Sequence, residues 1–263
     1  MAAEPQPGAA IELVGVRKDF GSVRILDGVE LTVPRGAITV LLGPSGAGKT
    51  VTIKHILGLF QPTAGVVRVQ GKDLAKISEP ELYELRRGMS VVLQGALPFT
   101  CGLFYSLSIY ENVAFVLRER TGWPEERIRA VTLEHLGMVG LRDRAANMPD
   151  ELSAGMAKRV ALARALALDA EIVIIDDFDS GLDGVRLALL CELILDAQRE
   201  AGSTFLVSTH DMNAARKLAD HAAVIHQGRI VLEGDAGAVL DSAEPLVRQL
   251  VTGAHSGPLQ LQG

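Results

Sequence analysis

Residues 37–50 read Ala37-Ile38-Thr39-Val40-Leu41-Leu42-Gly43-Pro44-Ser45-Gly46-Ala47-Gly48-Lys49-Thr50. The apolar run 37–42 reads as a buried strand. Residues 43–50 fill every fixed position of the loop pattern G-x-x-x-x-G-K-[ST], and 50–60 reads as a helix. The chemistry follows from the residue types. Glycines let the backbone wrap closely around a phosphate, so that several N–H groups of Gly43, Pro44, Ser45, Gly46, Ala47 and Gly48 can converge on the anion, proline excepted as donor. The helix starting near Gly48 adds the positive end of its dipole. Lys49 supplies a point charge for the outer phosphates, and Thr50 a hydroxyl for Mg²⁺. A nucleoside triphosphate, ATP, with Mg²⁺ is the expected ligand.

Composition narrows the class. The chain has 263 residues, 48% of them hydrophobic, enough for one large domain with its own core. Its net charge of −6 offers no basic footprint for nucleic acid. The His residues show no metal-ligand spacing. Cys101 and Cys191 lie far apart with no C-x-x-C, which reads as a reducing, cytoplasmic setting. No stretch approaches the ~18 uncharged apolar residues of a membrane helix. The opening MAAEPQPGAA lacks the basic and apolar regions of a secretory signal and reads as a disordered leader over 1–10. Residues 253–263 read as a tail that is poorly ordered unless it docks on something.

Outward from the loop, the first third reads as strands at 11–16, 29–33, 37–42 and 66–70, with a helix at 79–87 and a strand at 89–93. The middle carries helical periodicity over 109–119, 124–136 and 153–168. Strands and helices then alternate: strand 171–176, helix 184–200, strand 203–208, helix 211–218, strands 222–226 and 229–233. Short helices follow at 235–241 and 244–251. This order predicts an α/β fold with a largely parallel sheet. Ile172 to Ile175 form an uninterrupted apolar run, as a strand covered on both faces should. It ends in Asp176 and Asp177. Ligands of such sheets lie at the carboxyl ends of the strands, so both carboxylates are expected near the phosphates. Asp176 would hold Mg²⁺ through water, and Asp177 would orient or activate the attacking water.

Leu152-Ser153-Ala154-Gly155-Met156, followed by AKRVALARALAL, resembles the signature of the ATP-binding-cassette ATPases. The resemblance spans about residues 11–235. It implies a phosphate-loop core with a parallel sheet, an antiparallel β lobe and an inserted helical subdomain at about 95–168, within one domain over 11–252. It also implies that Ser153, Ala154 and Gly155 close over the γ-phosphate held by a partner subunit. Ser153 is at the same time a natural helix N-cap. By the same resemblance Gln94 is the Q-loop glutamine, touching metal or water and the permease. Ser180-Gly181-Leu182-Asp183 is the D-loop, with Asp183 near the nucleotide, and His210 is the switch histidine at the γ-phosphate. Phe20 takes the place of the aromatic that stacks on adenine, although a core aromatic at a strand end fits it too.

Within that family, ELYELRR (81–87), SIYENVAF (108–115), ELSAGMAKRVALARALALD (151–169) and DSGLD (179–183) resemble the ATPases of Mla- and Mce-type lipid transport systems, as does EPLVRQLVTG (244–253). Met156 and Asp179 are typical of that group. The resemblance implies a motor subunit on the inner face of the cell membrane, bound to an integral-membrane permease and Mce/Mla-type lipid-transfer proteins. It would work as an ATP-dependent homodimer or heterodimer. Departures also stand out: Asp177 for Glu, Phe178 and Gly184 for Pro, Ala154 for a glycine. The stretch after Gln94 looks longer than in those relatives and reads as either a partner surface or a loop folded onto the core. A non-hydrolysing or regulatory subunit, and a cassette ATPase not tied to transport, are the alternative readings.

Overall fold

The computed structural model describes residues 6, 8–93, 102–254 and 256–259. The elements run β1 (Ala9–Phe20), β2 (Val23–Pro34), β3 (Ile38–Leu42), α1 (Lys49–Ile56), β4 (Ala64–Val69), β5 (Lys72–Asp73), α2 (Glu79–Arg87), β6 (Met89–Val92), α3 (Ile109–Arg120), α4 (Glu125–Met138), α5 (Ala154–Leu166), β7 (Ile172–Ile175), α6 (Gly184–Ala201), β8 (Thr204–Thr209), α7 (Met212–Leu218), β9 (His221–His226), β10 (Arg229–Asp235), α8 (Ala236–Leu240) and α9 (Pro245–Thr252). A six-stranded sheet has the order β10-β9-β3-β8-β7-β6. Its members are parallel except β10, which runs antiparallel to β9. A four-stranded antiparallel sheet has the order β2-β1-β4-β5. This is the α/β architecture expected from the alternating elements.

Strand parity builds two cores. Alternate side chains of a strand point to opposite faces. Val40 and Leu42 of β3, Val173 and Ile175 of β7, and Phe205 and Val207 of β8 face one core, which α3 to α9 cover. Leu41, Ile172, Ile174 and Leu206 face the other, shared with β1, β2, β4, α1 and α2. Every residue of β3, β7 and β8 is buried, as strands covered on both faces must be. Between β6 and β7, α3 packs against both α4 and α5.

Several boundaries differ from the sequence reading. The strand expected at 11–16 begins at Ala9, so residues 9 and 10 are not leader: Ala9 pairs with Pro34, and the Ala10 carbonyl accepts from Gln70 N–H at 2.8 Å. The same strand runs on to Phe20. Beyond Val16 its polar residues are held across the hairpin by ion pairs, Asp19 to Arg24 at 2.8 Å and Arg17 to Asp27 at 3.6 Å. Charge pairing thus extends a strand where apolar alternation stops. Helix α1 ends at Ile56 rather than near residue 60. Gly58 takes a left-handed φ of 66° and its N–H closes on the His55 carbonyl, the usual glycine stop. The tail docks: Leu259 packs on the core, and the buried Gln249 amide donates to the Ala254 and Leu259 carbonyls at 3.1 and 3.0 Å.

Candidate nucleotide-binding and hydrolysis site

The phosphate loop joins the end of β3 to the start of α1. Its glycines have different jobs. A Cβ on Gly43 would lie 2.3 Å from the Ile225 carbonyl oxygen, so this glycine lets the loop press on β9. Gly48, at φ 112°, would meet Leu26 at 2.8 Å. Gly46, at φ 77°, faces open space, so there it is the left-handed backbone and not a close neighbour that favours glycine. The Ala47 N–H closes on the Pro44 carbonyl at 3.2 Å, and the Gly228 N–H holds the Ala47 carbonyl at 3.0 Å. Helix α1 leaves its first N–H groups unsatisfied internally, at the place where an anion would sit.

Lys49 Nζ curls into the loop, 2.6 Å from the Gly43 carbonyl and 3.0 Å from that of Pro44. Burial pushes its ammonium below the usual lysine range, and the carboxylates of Asp177, Asp176 and Asp179 pull it back up. The loop and the end of β7 therefore converge on one charged centre. Thr50, half-buried, lies in the first turn of α1.

Asp176 is 1% exposed. Ser208 of β8 donates its hydroxyl to Asp176 Oδ1 at 2.6 Å. Oδ2 is buried with no hydrogen-bond partner among the described residues. A buried carboxylate oxygen without a partner is costly. A hard divalent cation or its water would satisfy it, with the Thr50 hydroxyl as a candidate second oxygen. The donor set fits Mg²⁺. Asp177 has a left-handed φ of 56°. Its N–H donates to Ser208 Oγ at 2.8 Å, and Lys158 Nζ donates to its carbonyl. His210 follows β8, with Nδ1 2.8 Å from Asp179 Oδ2 and 3.9 Å from Asp177 Oδ1.

The signature residues form a second centre. Ser153 caps α5, its Oγ accepting from Met156 N–H at 3.3 Å. Ala154 opens the helix, and a Cβ on Gly155 would stand 3.2 Å from the Gly181 carbonyl, so glycine there lets α5 pack tightly on the turn 179–183. Asp183 caps α6 through the Arg186 N–H at 2.9 Å. Lys158, buried in α5, donates to the Ser180 carbonyl and hydroxyl at 2.9 and 2.8 Å. Phe20 stands apart, edge-on to Phe60 with ring centres 5.4 Å apart, under Lys18 and 44% exposed. Gln94 lies outside the described residues, as do the following positions 95–101. Of the rest of that stretch, Leu103 is buried while Phe104 and Tyr105 are exposed, so 102–107 has features of both a core loop and a surface. Sequence reasoning missed Ser208, Asp179 and Lys158 as site residues. The available signals were a serine at the end of an apolar strand and a lysine inside an apolar helix.

The geometry defines a phosphate-loop ATPase with a second, signature-type centre. Residues 26–180 match the family described as ABC transporter. The probable ribonucleotide transport ATP-binding protein mkl of Mycobacterium tuberculosis (strain H37Rv) is 42% identical over 252 residues, 96% of this chain and 69% of that protein. The intermembrane phospholipid transport system ATP-binding protein MlaF of Escherichia coli (strain K12) is 37% identical over 239 residues, 91% of this chain and 87% of that protein. Among solved structures, the dimeric post-hydrolysis state of the ATP-binding cassette MJ0796, bound to ADP and Pi, superposes with a TM-score of 0.78 at 30% identity, covering 86% of this chain and 98% of that one. The chain belongs to the ABC transporter family. It is an ATP-binding ATPase, the motor subunit of an ABC transporter.

Proposed function

We propose that this chain binds ATP with Mg²⁺ in the cradle 43–50 and drives lipid movement, of phospholipid, fatty acid or sterol, through an Mla/Mce-type permease. The observation that carries the catalytic part is the convergence of Lys49, Asp176, Asp177 and His210 at the carboxyl ends of β3, β7 and β8. Thr50 and Asp176 would hold the cation, with Gln94 as a further ligand, and it would supply charge neutralisation of the phosphates. Lys49 binds the outer phosphates, Asp177 orients the attacking water, and His210 meets the γ-phosphate. Phe20 and the loop residues complete the nucleotide contacts. Ser153, Ala154, Gly155 and Asp183 act on the nucleotide of a second subunit, so the working unit is a dimer.

The lipid reading rests on the similarity to the phospholipid-transport protein MlaF. No helix among the described residues is long and apolar enough to cross a membrane, and attachment to the inner face through a permease accords with that. A groove of about 430 Å³ beside the edge strand β6, lined by Leu57, Leu93, Phe104, Phe115 and Arg120, supports a docking place for a cytoplasmic segment of that permease. Purification from the native membrane tests the reading. Recovery of a permease together with a lipid-transfer protein supports it, and recovery with a ribosome or without membrane partners overturns it.

A further inference from the structure

Asp179 is buried, 8% exposed, and its carboxylate is turned entirely toward the end of β8. Oδ1 accepts the Thr209 hydroxyl at 2.5 Å and the His210 N–H at 3.4 Å. Oδ2 stands 2.8 Å from His210 Nδ1. Asp177, the residue that the family resemblance places at the attacking water, is 3.9 Å from the same nitrogen. A carboxylate at hydrogen-bond distance accepts, so Nδ1 carries a proton and Nε2 is the nitrogen left to face a ligand. The imidazole itself is 59% exposed, and the buried Asp179 carboxylate is its anchor at hydrogen-bond distance among the described residues.

We propose that Asp179 is a positioning residue for His210. It fixes the Nδ1–H form of the ring and aims Nε2 at the γ-phosphate and its attacking water. This rests on His210 being the residue that meets the γ-phosphate. The orienting carboxylate that a catalytic imidazole requires is supplied here from the turn after β7. Asp177 is thereby left to the water.

Asp179→Asn tests the assignment. The amide oxygen keeps the bonds from Thr209 and the His210 N–H, while the amide nitrogen now donates toward Nδ1 and favours the opposite tautomer. In nucleotide-free protein, long-range ¹H–¹⁵N spectra, with His210 assigned by its loss in His210→Gln, should show Nδ1–H in the wild type and Nε2–H in Asp179→Asn. ATPase kcat should fall roughly tenfold to a hundredfold with KM for ATP little changed. Thr209→Val, which removes the hydroxyl that bonds Asp179 and accepts from the Asp211 N–H but leaves the Asp179 carboxylate in place, should leave the tautomer as in the wild type. A wild-type His210 in the Nε2–H form overturns the proposal, as does an unchanged kcat in Asp179→Asn or a lowered kcat with an unchanged tautomer. If Asp179→Asn does not fold, the wild-type spectrum still decides. Failure of the underlying site reading looks different: ATP hydrolysis would survive Lys49→Ala whatever the tautomer.

Discussion

The backbone N–H of Phe178 donates to the Ser208 carbonyl at 2.9 Å, tying the turn after β7 to the end of β8. A proline, which the resembled family carries at this place, has no N–H to give. Proline also pushes the preceding residue toward extended backbone. Asp177, at φ 56°, is left-handed. The shorter acid and the non-proline neighbour therefore form one coupled change, in which a different backbone carries a different side chain.

Phe178→Pro should consequently be severe. It deletes this hydrogen bond, worth about 0.5–1.5 kcal/mol. It also removes most of a ring that is 1% exposed, where truncation costs about 3–5 kcal/mol. Denaturant unfolding should report a loss of that order.

Asp177→Glu, made alone, places a longer acid on a left-handed backbone. Asp177→Glu with Phe178→Pro restores a matched pair. The two changes should be non-additive in kcat, with a coupling of about 0.5–3 kcal/mol, while ATP affinity stays level. Additive effects would show that the neighbours act separately.

Lys49→Ala should abolish measurable hydrolysis with the fold intact by circular dichroism. Loss of a charge aimed at the transferring phosphate costs about 2.7–4 kcal/mol, or roughly a hundredfold to a thousandfold in rate. Turnover at the wild-type rate would remove the site reading.

Ser153→Arg should leave nucleotide binding by the single subunit nearly unchanged and block ATP-driven dimer formation. Sedimentation with ATP and Mg²⁺, in a hydrolysis-slowed background, separates the outcomes. A dimer that persists would contradict closure of the signature over a partner's nucleotide.

Glu233 of β10 lies on the seam between the two sheets and accepts from Thr32 N–H at 2.8 Å. Burial pushes its carboxyl up to about 7, against the Thr32 bond, which lowers it. A raised carboxyl favours the protonated folded form. Its contribution to stability is complete below the unfolded value, about 4.3, and is lost as pH rises through about 7. Glu233→Gln keeps an accepting oxygen and should gain stability relative to the wild type at pH 8 but not at pH 4.5, by about 1–3 kcal/mol after allowance for solvent. His221, lowered by burial, has Nε2 3.9 Å from Glu233 Oε1, so its own titration forms part of the measured difference.

The sequence was most informative where the signal is contiguous. The strand at 37–42, the loop 43–50 and the run ending at Asp176 are each local patterns, and the structure has a strand, a loop and a carboxylate at those places. Contacts across long sequence intervals left no such trace. Ser208 reaches Asp176 over 32 positions, Lys158 reaches Ser180 over 22, and Thr209 reaches Asp179 over 30. Such pairs depend on strand register, which one sequence does not encode legibly. The hairpin of β1 and β2 was underestimated for a related reason. Arg24, Asp19 and Asp27 look like loop residues until the opposite strand is in place.

Lys158 bonds on one side to the turn at Ser180 and on the other to the carbonyl of Asp177, while its own helix α5 begins at Ser153. In the proposed dimer, a pull on that helix from a partner's nucleotide would reach Asp177, the proposed water-orienting residue of the same chain. The two half-sites of such a dimer would be geared together like meshed wheels. Steady-state hydrolysis should be sigmoidal in ATP, with a Hill coefficient above 1, and Lys158→Met should disengage the gear and flatten the curve toward simple saturation.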